Sequence, residues 1–375
     1  TLVFEQPTAR AITAHLLETL PQTQHDSTQA IVAVEGCAQQ EKTVAALVGV
    51  AGRWPGSCAA RPVLWCVMQA GGDAISLVPR ARWTLSAETD LTALSSDQVA
   101  AVAYGGFVRG ADTFDNLSFR MSQGEAAAAD PQQRLVLLTG YESLHSSGQR
   151  RAALMGSAFG VAVGLSKNDF QQLSAAGKLL ASGGMYVSSG ADLGVAPRRL
   201  AYTFGLHGPA FALHTACSSS LVALDTANHL GGKWSVSGVH MVLTPPFWAA
   251  SSGGMHSLSG RSRVFDTRAD GFARSEACVS VTTVPGSGGL ALQGSATRQD
   301  GKSASLTAPS GQAQRLMLRA ALDDAGLQQN AQTSVLVEAA ANGSPLGDPI
   351  EVGAVASSFS SASVLMANTK GSIAH

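Results

Sequence analysis

The stretch Phe211–Leu230, FALHTACSSSLVALDTANHL, decides how the chain is read. Apolar residues lead into it, small residues fill its middle, and Leu221, Leu224 and Ala227 then recur at helical spacing. This is the pattern of a strand turning into a helix. Cys217 lies in the turn. The positive end of a helix dipole favours a thiolate, and a thiolate is a good acyl acceptor. The plain alternative is a buried, inert cysteine, the usual fate of a lone thiol.

Working outward, short apolar runs at Val44–Val50, Ala158–Leu165, Val236–Leu243 and Thr333–Glu338 read as buried strands. Gln132–Leu144 and Gln312–Ala325 read as helices between them. Strands alternating with helices predict an α/β layered fold. The 40 glycines predict many tight turns and close backbone approaches. Residues 1–20 read as a turn and an amphipathic helix, with Pro7 near its start and Ile12, Leu16 and Leu17 on one face. Residues 21–43 have no clear period and read as a linker, so the main domain is expected to start at Val44.

Hydrophobic residues make up 45% of the chain and charged residues 14%, which predicts extensive burial and a large interface. A net charge of −1 gives no electrostatic case for nucleic acid or an anionic membrane. No apolar run approaches the roughly 20 residues that span a bilayer. The 5 cysteines are scattered and lack paired metal-ligand spacing, so neither a disulfide framework nor a metal site is expected. That usage fits a reducing, cytoplasmic setting. The chain opens at Thr1 rather than Met, so its native start is expected upstream, where an organelle-targeting segment stays compatible with the sequence.

TACSSSLVAL, Thr215–Leu224, resembles the active-site signature of type I ketosynthases of modular polyketide synthases. Val48–Gly56 (VGVAGRWPG) resembles the opening strand of that family, and Gly72–Trp83 (GDAISLVPRARW) follows as it does there. Ala129–Gly148 resembles the DPQQR helix. Asp270–Ala277, Thr307–Gln314, Gly343–Glu351 and Ala367–His375 continue in family order, so the resemblance covers 44–375. The first twenty residues resemble the last helix of a carrier protein. The resemblance implies a thiolase-like layered αβαβα fold of two similar halves, with 44–240 carrying the nucleophile and 241–375 an incomplete second half. It further implies a homodimer in polyketide or fatty-acid biosynthesis that takes acyl chains from an acyl carrier protein. No cofactor is bound in such proteins; the phosphopantetheine arm arrives on the carrier. The family cysteine takes the acyl group, two histidines support decarboxylation and condensation of a malonyl thioester, and a lysine supports the second histidine. On this chain those positions are Cys217, His375 and Lys370, and Ser218, Ser219 and Ser220 are small enough to admit the acyl chain and its arm.

The first family histidine falls on Ala340, in VEAAANGSPLGDPIE (Val337–Glu351), with Ala341 and Asn342 also changed. An alanine has no proton to transfer, and losing an acid/base group costs about two to four orders of magnitude in the step it serves. The pattern resembles the non-elongating ketosynthases of some modular synthases, so acyl transfer is expected with condensation impaired. Two alternatives stand beside it. One is full condensation with a substitute group from Asn342 or His214. The other is a non-catalytic dimeric scaffold, against which the retained Cys217 counts. Glu276 resembles a supporting glutamate near the site, Asp130 and Arg134 are expected to make helix contacts, and Asp348 and Glu351 to hold a loop. The family continues past its second histidine, so further residues are expected after His375, and the loops near His229–Trp234 and Val284–Leu290 are shorter than the resemblance implies.

Overall fold

The computed structural model describes residues 44–84, 94–166, 169–175, 186–245, 255–286, 288–327 and 334–375. The terminal helix expected at 1–20 and the linker expected at 21–43 lie outside them. The strands run in chain order as β1 (Ala45–Arg53), β2 (Ile75–Leu77), β3 (Tyr104–Gly106), β4 (Gly160–Gly164), β5 (Ala210–Leu213), β6 (Trp234–His240), β7 (Arg274–Ser275), β8 (Ala277–Pro285), β9 (Leu290–Leu292), β10 (Ser334–Glu338) and β11 (Ser363–Ala367).

A six-stranded sheet has the order β5-β4-β6-β8-β1-β9. β5, β4 and β6 are parallel to one another, while β8 runs antiparallel to β6 and to β1. Alternate residues of each strand point to opposite faces, and two helix layers cover them. On one face Val161, Val163, Val239 and Cys278 pack in a core with Leu137 and Leu144 of the Pro131–Ser146 helix and Leu200 and Phe204 of the Val195–Phe204 helix. On the other, Ala162, Trp234 and Val236 pack with Ala223 and Ala227 of the Ser219–Leu230 helix. The apolar runs are therefore strands because both of their faces are buried.

The Pro131–Ser146 helix starts at Asp130, whose carboxylate accepts the Gln132 N–H at 2.7 Å, and Pro131 takes the first turn, where its missing N–H costs nothing. Burial pushes the Asp130 carboxyl up to about 6, against the pull of Gln132 and Arg134. The helix lies close on the sheet. Thr139 meets Ser280 at 2.8 Å, Ser143 meets Thr282 at 2.7 Å, and Ser237 continues the hydroxyl chain to Ser280 at 2.7 Å. A Cβ at Gly49 would fall 2.1 Å from the Ser143 carbonyl oxygen.

A second, smaller sheet pairs β10 with β11 in parallel. The Gly311–Asp324 and Gly347–Ser358 helices pack against each other beside it in sequence. On one face of this sheet the register partners Leu336 and Leu365 remain 69% and 67% exposed. The short link at 229–234 has a local cause: Gly231 and Gly232 both take φ values near +70 to +80° (67° and 83°), which turn the chain from helix into β6 within a few residues. No helix among the described residues is long and apolar enough to cross a membrane.

Gly49→Ala is expected to cost about 2–3 kcal/mol, because an added methyl must push the helix off the sheet. Gly353→Ala, on an exposed face of the Gly347–Ser358 helix with no atom within 4 Å of the new methyl, is expected to gain about 0.5–1 kcal/mol. Thermal unfolding of the two variants checks both signs; equal midpoints for Gly49→Ala and the parent chain would contradict the close approach.

Candidate active site

Leu213, Gly164 and Gly238 stand in one row across β5, β4 and β6; β5 and β4 end there, and β6 runs on to His240 along the same edge. Such an edge is where open parallel sheets place their ligands. The chain leaves β5 there, makes a short 3₁₀ turn at Ala216–Ser218 and enters the Ser219–Leu230 helix. Cys217 sits in that turn and is exposed.

The turn is tied by its own hydroxyls. Ser219 Oγ accepts the Thr215 N–H at 2.9 Å and donates to the Ala216 carbonyl at 2.6 Å; Ser218 Oγ donates to the Thr215 carbonyl at 2.8 Å. Ala216 takes φ 56°, a left-handed conformation unusual for a residue with a side chain. His214 is exposed, and its Nδ1 accepts the Ala216 N–H at 3.2 Å. In this structure His214 thus steadies the strained residue beside Cys217.

Residues from β10, β11 and the loops after them supply the rest. Glu351 accepts the N–H groups of Ala340 and Ala341 at 2.7 and 2.8 Å. Asp348 accepts those of Asn342, Gly343, Ser344 and Phe265 at 3.0–3.2 Å. Asn368 donates to the Ala339 carbonyl at 2.6 Å and accepts the Lys370 N–H at 2.7 Å. The Lys370 ammonium reaches the Ala340 carbonyl and, at 2.7 Å, Asn342 Oδ1. Burial lowers the Lys370 pKa, opposed first by Cys217 and then by Glu351, Glu338 and Asp348. Burial likewise lowers the Arg274 pKa, opposed by Asp169 and Cys217. Cys217 is thus within electrostatic reach of both basic groups.

His375 is pinned by its backbone, donating to the Ala273 carbonyl at 3.0 Å and accepting the Ser275 N–H at 2.8 Å. Its ring meets Phe272 edge-on at 4.7 Å, and Phe272 meets His256 at 5.0 Å. Burial drives its pKa down to about 3, helped by Lys370, Arg274, His240 and His256. His375 is therefore a neutral imidazole across the physiological range.

Glu276 is fully buried. Its Oε2 accepts from Arg82 at 2.6 Å and from the Val108 N–H at 2.9 Å, and its Oε1 from the Val242 N–H at 3.0 Å. Burial pushes this carboxyl up to about 7 against the pull of Arg82 and the two N–H groups. It bridges three chain segments that are distant in sequence. Among the described residues no group of three or more His, Cys, Asp or Glu could hold a metal ion.

The sequence reading did not single out His240 or His256, both of which act on His375. A signal for His240 did exist: it closes an apolar strand on the edge that carries Cys217.

The model of the β-ketoacyl synthase N-terminal domain matches residues 42–282, and that of the C-terminal domain matches 290–375. This chain belongs to the β-ketoacyl synthase family. The chain is 38% identical to a mycocerosic acid synthase-like polyketide synthase of Mycolicibacterium smegmatis, over 83% of this chain and 15% of that protein. It is 38% identical to a spectinabilin polyketide synthase system protein of Streptomyces orinoci, over 96% of this chain and 10% of that protein. The ketosynthase chain thus spans a small part of the curated relatives it matches. Among solved structures, an oxazolomycin ketosynthase domain of Streptomyces albus superposes with TM-score 0.78 at 30% identity, over 89% of this chain and 60% of that one. A ketosynthase from module 6 of the bacillaene synthase of Bacillus subtilis gives 0.75 at 27%, over 88% and 58%. The fold is accordingly the thiolase-like fold of ketosynthases. Among the described residues the large sheet draws strands from both sides of residue 240, and two smaller sheets, β2-β3-β7 and β10-β11, accompany it.

A His375 pKa held near 3, below the unfolded 6.5, means that the unfolded chain binds more protons between those values. Stability from this group is full above about pH 6.5 and is lost as pH falls toward 3. His375→Gln should therefore lose less stability than the parent between pH 6.5 and 4. Imidazole NMR should show the resonance missing from that variant to be flat across the same range; a midpoint near 6.5 would overturn the assignment.

Proposed function

We propose that Cys217 accepts an acyl chain from an acyl carrier protein as a thioester, and that decarboxylative condensation is impaired because Ala340 stands where the family has its first histidine. The observation that carries this reading is a division in the site. Cys217 is exposed at a helix start within reach of Lys370 and Arg274, whereas position 340 offers only its backbone, whose carbonyl takes the Lys370 ammonium.

The chemistry follows from those groups. The Cys217 thiolate attacks the carrier thioester, and the oxyanion that forms is stabilised by backbone N–H groups at the turn, the cysteine's own among them. Collapse expels the phosphopantetheine thiol and leaves the acyl group on Cys217. This exchange needs no charge at 340. Loss of carbon dioxide from a malonyl thioester builds an enolate, and there a missing imidazole costs about two to four orders of magnitude. His375, with Lys370, remains as the single family histidine, and the carrier protein supplies the phosphopantetheine arm as part of the substrate. The working unit in this reading is a cytoplasmic homodimer within a polyketide synthase, which fits β5 as an outer strand of the large sheet.

One contact favours the condensing alternative. Lysine only donates, so Asn342 must turn Oδ1 toward Lys370, which points its NH₂ donor the other way, as a replacement polariser would need.

Acylation is read by intact mass after incubation with an acyl-carrier thioester, and condensation by product analysis after malonyl-carrier addition. The parent chain is expected to gain the acyl mass, to lose that gain in Cys217→Ser and to form no β-ketoacyl product. Ala340→His should raise malonyl decarboxylation at least about tenfold. No acyl mass on the parent chain would sink the reading, and a β-ketoacyl product from it would select the Asn342 alternative.

A further inference from the structure

The Arg61–Gln69 helix, RPVLWCVMQ, wears apolar residues outward. Pro62, Val63, Trp65 and Cys66 lie on its exposed side, and Leu64, Val67 and Met68 on the other side are only half-buried. Val63 is 45% and Trp65 59% exposed, and no residue of the helix is buried. A surface helix turns polar residues to water, and a helix apolar all round belongs in an interior. This one has an interior composition and no cover among the described residues.

The unpaired charges beside it are of one sign. Its first turn holds no acidic residue and opens with the exposed Arg61, which stands four residues before Trp65 on the same side. The loop that leads into the helix, from Arg53 to Ala59, encloses a cavity of about 140 Å³ with Val108 and Arg109. Arg82 donates to the Val108 carbonyl at 3.1 Å, which brings the turn carrying Arg80 against that segment. The carboxylates nearby are taken: Glu142 by Arg53, Asp73 by Arg261 and Glu276 by Arg82, at 2.5–2.6 Å. Arg61, Arg80 and Arg109 are exposed, and among the described residues their side chains form no ion pair.

We propose that this face docks an acidic amphipathic helix of a partner protein. The apolar stripe of that helix covers Val63 and Trp65. Its carboxylates meet Arg61 and Arg109, the latter at the cavity, where Arg53 is already neutralised by Glu142. Burial of the stripe supplies affinity, and the arginines select the sign of the partner. Trp and Arg are the residue types that dominate such contacts.

The test uses the full chain and two labelled synthetic helical peptides. Both carry a Leu and Phe face; one flanks it with Glu, the other with Lys, and fluorescence polarisation reads binding. The Glu peptide is expected to bind at least about tenfold tighter than the Lys peptide. It should also slow iodoacetamide alkylation of Cys66, which is exposed on the same helix. Trp65→Ser should weaken the Glu peptide at least about tenfold. Arg61→Glu combined with Arg109→Glu should reverse the preference toward the Lys peptide, which a merely sticky surface would not do. No binding of the Glu peptide, equal binding of both peptides, or an unchanged preference in the charge-reversed chain overturns the proposal. If the variants lose their circular dichroism, the parent decides: Cys66 alkylated at the same rate with and without the Glu peptide overturns it. A parent oligomer that dissociates in Trp65→Ser, read by sedimentation, overturns it too, because a second copy of this chain then covers the face.

Discussion

Bare backbone at two glycines sets the height of the whole site. The first turn of the Ser219–Leu230 helix rests directly on Gly164 and Gly238: a Cβ at the former would fall 2.4 Å from Ser219 backbone atoms, and at the latter 2.5 Å from Ser220 Cβ. Any side chain there would lift the helix from the strand ends. Because the helix sits low, the turn before it stays at the edge of the sheet, where Cys217 is within electrostatic reach of Lys370 and Arg274. The hydroxyls of Thr215, Ser218 and Ser219 close the turn internally.

The other half of the site is built to a different rule. The loop carrying Ala340 to Ser344 is latched by two carboxylates that accept its backbone N–H groups. None of those bonds uses the side chain at 340. An alanine at that position is therefore compatible with a fastened loop, and Lys370 finds a carbonyl and an amide oxygen to hold. The latch itself reads backbone alone, so it places no demand on the side chains at 340 and 341.

Much of this was legible from local pattern. The Ala158–Leu165 run holds β4 at Gly160–Gly164, and the helix expected at Gln132–Leu144 spans Pro131–Ser146. The run at Val44–Val50 falls short because β1 continues to Arg53, where a polar side chain reaches Glu142 at 2.5–2.9 Å and so escapes an apolar count. The strand–turn–helix at Cys217 was visible because its apolar, small and helical segments follow one another in sequence. The partners of Glu276 were not: Arg82, Val108 and Val242 meet it only through the fold, and nothing in its neighbours announces them.

Two alanines carry a consequence for how this protein can vary. Ala216 precedes Cys217 with φ 56°, and Ala374 precedes His375 with φ 62°. A left-handed backbone costs an ordinary residue about 1–2 kcal/mol, and a β-branched side chain more. Unbranched residues can carry that conformation, Asn and Asp most readily, and Ser57, Arg120 and Phe265 do so in this chain, while glycine would fit but slacken the turn. Cys217 and His375 are thus each aimed by a neighbour that disfavours β-branched side chains. Libraries built to retune this chain lose valine, isoleucine and threonine at 216 and 374, whatever freedom they find elsewhere around the thiol.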